Sequence, residues 1–116
     1  MTAFAPALVA FGGTAGALAR YGVDRAVTGE YGTVVVNVLG SVALGLVTAL
    51  SVGDPLLLVL GTGFCGAFTT FSSFAVTVAE RVRDGRYWYA AGYAGGTLLA
   101  ALAGVRLGAW IAGTVA

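Results

Sequence analysis

Residues 55–79 read PLLLVLGTGFCGAFTTFSSFAVTVA, with no charged side chain between Pro55 and Ala79. A membrane-crossing helix needs about 20 mostly apolar residues, so this run is long enough to span a bilayer. Three other stretches read the same way. Residues 3–21 end beside Arg20, residues 33–52 carry no charge, and residues 87–111 carry only Arg106. These four runs leave room for short loops and nothing else. The expected architecture is a single all-α membrane domain, 1–116, with four transmembrane helices and a multi-pass place in the cell membrane. Helices are the expected form because lipid cannot pair a backbone N–H or C=O. The continuously apolar runs lack the alternating polarity of β-barrel strands.

Composition excludes whole classes of function. Hydrophobic residues make up 59% of the 116 positions, charged residues 9%, and the net charge is +1. Soluble chains are roughly a quarter charged, so an ordinary soluble enzyme or a disordered chain does not fit. Nucleic acid as a partner would require clustered positive charge, which is absent. With no histidine and a lone Cys65, there is no Ser-His-Asp or Cys-His nucleophile, no internal disulfide and no zinc cluster. No positive residue precedes the first apolar run, as a cleaved signal peptide would require.

Gly12 and Gly16, Gly92 and Gly96, and Gly104 and Gly108 are each four apart, the small-xxx-small spacing that lets helices approach closely in lipid. Either packing within the chain or contact with a second chain accounts for them. Four thin helices barely enclose a pathway, so an oligomer is expected. Gly61, Gly63 and Gly66 match G-x-G-x-x-G, but a dinucleotide site needs a preceding strand. Inside a membrane run, these glycines are read as the place where the third helix unwinds.

The polar residues within the runs hold the chemistry. Asn37 shares a helix face with Thr33 and Ser41, and it serves either as interhelical glue or as an anion-facing donor. Arg20 either snorkels to the interface or acts on an ion. The densest segment is Gly66-Ala-Phe-Thr69-Thr70-Phe71-Ser72-Ser73-Phe74. Phe71 and Phe74 project to nearly one face, and the edge of a phenyl ring is positive. Two such edges make a weakly electropositive pocket, and conduction needs binding weak enough for the ion to leave. Hydroxyls at Thr70, Ser72 and Ser73 act as donors or re-pair a broken helix backbone. No carboxylate lies deep in any run, which argues against proton-coupled or cation carriers.

Gly12-Gly13-Thr14-Ala15-Gly16-Ala17-Leu-Ala-Arg20-Tyr21, Gly32-Thr33-Val-Val-Val-Asn37-Val-Leu-Gly40-Ser41 and the Gly66–Phe74 segment, taken in order, resemble the fluoride channel family called Fluc or CrcB. The resemblance covers nearly the whole chain. It implies passive, fluoride-specific export that lowers cytoplasmic fluoride toxicity. It also implies an antiparallel dual-topology dimer whose third helix is broken at its centre. The pathway would be lined by Asn37, Phe71 and Phe74, with Thr70, Ser72, Ser73 and Arg20, and with Tyr93 and Thr97 from the fourth span. A structural Na⁺ would sit at the dimer centre, held by backbone carbonyls that map onto Gly66 and Thr69. Ser73 stands where the family commonly has Thr, and Ala101 where a further hydroxyl is expected.

Arg25, Arg81, Arg83 and Arg86 favour placing the first and third loops in the cytoplasm. The partner is then either a second copy or an oppositely oriented paralogue. Two other classes compete: a small four-helix multidrug or guanidinium exporter, and a structural membrane protein without conductance.

Overall fold

The computed structural model describes residues 3–115, and among them the chain is all helical, with no strand. Helix α1 covers Ala5–Ala26 and α2 covers Tyr31–Ala49. Helix α3 runs over Asp54–Arg83 with a break at Thr69 and Thr70, and α4 covers Tyr87–Val115. Among the described residues, α2, α3 and α4 are long and apolar enough to cross a membrane. Helix α1 is diluted by Pro6, three glycines before Arg20, and then by Arg20, Asp24 and Arg25.

The helices outlast the expected spans at most ends. Asp24 and Arg25 lie in the last turns of α1 rather than in a loop, and Arg81 and Arg83 lie in the last turn of α3. Helix α2 instead stops early, at Ala49, and Ser51 turns the chain with φ 55°. Pro55 falls in the first turn of α3, where its missing N–H has no helical partner to lose. At the other end, Arg86 N–H donates to the Arg81 carbonyl and Gly85 N–H to the Val82 carbonyl. This paired closure needs a left-handed residue, and Gly85 supplies it with φ 79°. Helix α4 can therefore turn back beside the Phe71–Arg83 half of α3 and pack mainly on α2.

Glycine sets the packing. Gly12 and Gly16 of α1 press on the Val59 and Phe64 carbonyls of α3, and a Cβ at either position would overlap that backbone. Gly45 of α2 meets the Val105 carbonyl of α4, and Gly108 of α4 meets the Val42 carbonyl of α2. Two of the three spaced pairs thus serve packing within the chain. The third pair does not, because Gly92 and Gly96 have no neighbouring atom within 4 Å of a Cβ. Backbone-to-backbone approach is how helices gain contact in lipid, which offers no hydrophobic drive between them.

The Gly61–Gly66 segment is not unwound. Leu58–Cys65 is a π-helix, wider than an α-helix, and Gly66 continues into a short α-helical turn, Gly66–Phe68. The break follows, with Thr69 at φ −85°, ψ 164° and Thr70 at φ −149°, ψ 116°. Both are extended conformations that suit β-branched residues. Glycine is not what makes this break possible. Its contribution upstream is to bring α3 against α1.

Candidate functional site

An unbroken α3 would give the Thr70 N–H to the Gly66 carbonyl and the Ser73 N–H to the Thr69 carbonyl. Neither bond forms. The Thr70 N–H donates to Asn37 Oδ1 at 2.8 Å, and Asn37 Nδ2 donates to the Thr70 carbonyl at 3.0 Å. The side-chain amide of α2 thus copies a backbone partner. The Ser73 N–H donates to Thr70 Oγ1 at 3.2 Å, so Thr70 is the N-cap of the helix Phe71–Arg83. On its exit side one asparagine and one threonine hydroxyl pair the Thr70 and Ser73 N–H groups. On its entry side the carbonyls from Gly66 to Thr69 lose their helical donors, those of Gly66 and Thr69 among them.

Arg20 turns toward this point. Its Nη1 donates to the Thr69 carbonyl at 3.4 Å, and the side chain is half-buried. Thr69 Oγ1 bonds back to the Cys65 carbonyl at 2.9 Å. A carbonyl oxygen has two lone pairs, so Thr69 keeps capacity beyond Arg20. Oxygens released from helical bonding are the donors that unwound membrane helices offer to cations such as Na⁺, and Gly66 and Thr69 fit that chemistry.

Beside the break lies a groove of about 410 Å³, bordered by Asn37, Ser41, Thr70, Phe71, Phe74 and Thr97. The Phe71 and Phe74 ring centroids are 5.8 Å apart and tilted by 43°. Phe74 stacks on Tyr93 at 6.0 Å, and Tyr93 on Tyr89 at 6.4 Å. Phe71 is 77% exposed at the rim, whereas Thr97 is buried. Ser41 Oγ bonds back to the Asn37 carbonyl at 2.7 Å. Of the expected face of α2, Thr33 borders a second cavity, while Ser41 and Asn37 border the groove.

The remaining expected residues fall around it. Ser72 Oγ lies 3.3 Å from Thr70 Oγ1. Ser72 and Ser73 border that second cavity, of about 470 Å³, with Thr33 and Thr77. Tyr93 OH does not open onto the groove but donates to the Glu30 carbonyl at 2.8 Å. Ala101, one turn beyond Thr97, lines the groove with a methyl group.

Glu30 is the residue sequence reasoning passed over as part of a loop. Arg81 Nη2 and Nε donate to its Oε1 at 2.7 and 3.2 Å, and Tyr89 OH donates to its Oε2. The Tyr89 hydroxyl, and next the Arg81 guanidinium, hold its carboxyl below the usual carboxylate range. These partners lie 51 and 59 residues away, so no local motif announces them. The nearest signal is the single acidic residue just ahead of an uncharged span.

Comparison with known proteins gives a consistent picture. The family described as "CrcB-like protein, Camphor Resistance (CrcB)" matches residues 7–109. The chain is 48% identical over 92 residues to "Fluoride-specific ion channel FluC 1" of Nocardia farcinica, covering 74% of this chain and 65% of that protein. It is 48% identical over 101 residues to "Fluoride-specific ion channel FluC 2" of Natronomonas pharaonis, covering 86% and 87%. It is 49% identical over 107 residues to "Fluoride-specific ion channel FluC 1" of Halobacterium salinarum, covering 90% and 89%.

Proposed function

This chain belongs to the CrcB-like family, and on that premise we propose that it is a fluoride-specific ion channel of the cell membrane, passing F⁻ down its electrochemical gradient. It is a multi-pass membrane protein and not an enzyme. The observation that carries the reading is the broken α3, with Asn37 clasping Thr70 beside the Phe71 and Phe74 rings. The exporter alternative loses ground, since each relative described above bears the name of a fluoride channel.

The pathway follows from what each group has left to offer. Asn37 commits its oxygen and one N–H to Thr70, which leaves its second N–H for an anion. The ring edges of Phe71 and Phe74 supply diffuse positive potential without a full countercharge. Hydroxyls of Thr70, Ser72 and Ser73 replace water along the way, and Thr97 extends the polar wall. Tyr93 braces Phe74 from behind rather than touching the ion. Arg20 adds positive potential beside the Thr69 carbonyl.

In this reading α1 is a fourth span and the working unit is an antiparallel pair. A groove bearing an asparagine amide and several hydroxyls cannot be left open to acyl chains at low cost. A second copy, or an oppositely oriented paralogue, would close it and cover the free Gly92 and Gly96 face. The Gly66 and Thr69 carbonyls would hold the structural Na⁺, with the remaining oxygens coming from the second chain. That ion supplies fixed positive charge at the centre.

The test is F⁻ efflux from vesicles carrying the purified protein, followed with a fluoride electrode. Rapid efflux is expected with Na⁺ present and near silence without it. Absence of efflux under both conditions would overturn the channel reading, and equal efflux would remove the sodium. Subunit counting that found single chains in conducting vesicles would reject the pair.

A further inference from the structure

The cavity of about 470 Å³ on the far side of the break is walled by Thr33, Ser72, Ser73 and Thr77 together with Glu30 and Arg81. Its position follows from two elements. On α2, Thr33 borders this cavity and Asn37, one turn on, borders the groove. On α3, Ser72 and Ser73 border the cavity while Phe71 and Phe74 on either side of them border the groove. The first turn after the break is therefore the partition between the two spaces.

The charges of this cavity are set by a clamp. Arg81 is held by Glu30 through two nitrogens and by Asp84 Oδ2 at 3.1 Å through its Nη1. Glu80 also lines the wall. Two carboxylates therefore face the space against one guanidinium already shared with a third carboxylate. Tyr89 and Tyr93 tie Glu30 to α4, so the clamp is fixed in place.

We propose that this cavity is the mouth through which fluoride reaches the Phe71 and Phe74 rings, and that the Glu30–Arg81 pair sets the flux by masking the guanidinium that lines it among the described residues. The proposal rests on the fluoride-channel reading and adds a rate-setting charge pair outside the residues that touch the dehydrated ion. A hydroxyl-lined space lets the ion shed water gradually. The carboxylate surplus damps anion entry and keeps other anions from concentrating there. Arg81 unmasked would draw anions in, as charged clefts do.

The sign of the response distinguishes this from a merely structural brace. Glu30→Gln retains an oxygen that accepts from Arg81 or Tyr89 but removes the negative charge. Arg81→Gln removes the positive charge and leaves Glu30 and Glu80 unbalanced. A unit charge about 8 Å away in water-like surroundings changes the local anion concentration roughly two-fold. Initial F⁻ efflux from vesicles at low ionic strength is therefore expected to rise about two-fold or more in Glu30→Gln. It should fall by a similar factor in Arg81→Gln and return near the original value when both substitutions are combined. Both single-variant differences should fade in concentrated salt, where the screening length is about 3 Å.

Loss of flux in both single variants, or changes that persist undiminished in concentrated salt, would overturn the proposal and make the pair a structural brace. If the unsubstituted protein itself passes no fluoride, the channel reading fails first, and this proposal with it.

Discussion

Vesicles carrying Phe71→Ile or Phe74→Ile protein are expected to release fluoride about 100-fold more slowly than those carrying the original chain. Isoleucine fills comparable apolar space but has no quadrupole, so the substitution removes the positive ring edge and little else. About 3 kcal/mol lost by the ion at its narrowest point converts to roughly two orders of magnitude in rate. Folding should hardly notice the change at Phe71, which is 77% exposed in the chain and contacts Phe74 alone among the rings. Phe74 also stacks on Tyr93, and an aromatic pair is worth about 0.5–1.5 kcal/mol beyond its burial. Phe74→Ile should accordingly lower the unfolding temperature slightly, and Phe71→Ile only as far as Phe71 packs against the second chain. Electrode recordings of efflux, paired with thermal unfolding in detergent, check both parts. Unchanged efflux in the two variants would remove the rings from the pathway.

The parts of this molecule dictated by solvent were legible in its sequence, and the parts dictated by distant pairing were not. Residues 33–52 and 87–111 contain almost no charge because a charge in the bilayer core is expensive, and lipid makes the backbone pair itself in helices, so α2 and α4 could be anticipated within a few residues. The face shared by Asn37 and Ser41 follows from helical periodicity alone. The residues read by themselves put the break at the glycines, whereas the family resemblance put it at Gly66 and Thr69, beside where it falls. Gly61, Gly63 and Gly66 drew attention as flexible residues, yet Gly63 lies tight against α1, where a Cβ would come within 2.7 Å of the Val9 carbonyl. The interruption falls at two threonines because Asn37, 33 residues upstream, takes the Thr70 N–H. A local hint did exist, since Thr70 stands three residues ahead of the N–H that its hydroxyl caps. Glu30 had no such hint. Its partners come from α3 and α4, and only the folded chain brings Arg81, Tyr89 and Tyr93 to one carboxylate and its carbonyl.

Asn37→Ala is expected to abolish fluoride flux and, with it, the stabilisation that the proposed Na⁺ would give. The side-chain amide holds both polar groups of the Thr70 peptide. Without it, the Thr70 N–H is an unpaired donor in a low-dielectric site, which costs about 1–3 kcal/mol. The nearest remedy is the Gly66 carbonyl, its ordinary helical acceptor four residues back. Recovery of that bond would carry α3 straight through the break and withdraw one of the two oxygens assigned to Na⁺. It would also turn the Phe71 and Phe74 rings away from their present tilt. Thermal unfolding measured with and without Na⁺ separates the two roles of Asn37. If the amide only faced the ion, Asn37→Ala would lose flux while the sodium-dependent rise in unfolding temperature persisted. If it holds the break open, both vanish together, and Asn37→Asp should retain part of the rise. An aspartate still accepts from the Thr70 N–H, but it lacks the donor for the anion and adds repulsion in the groove. Full flux in Asn37→Ala would exclude both roles.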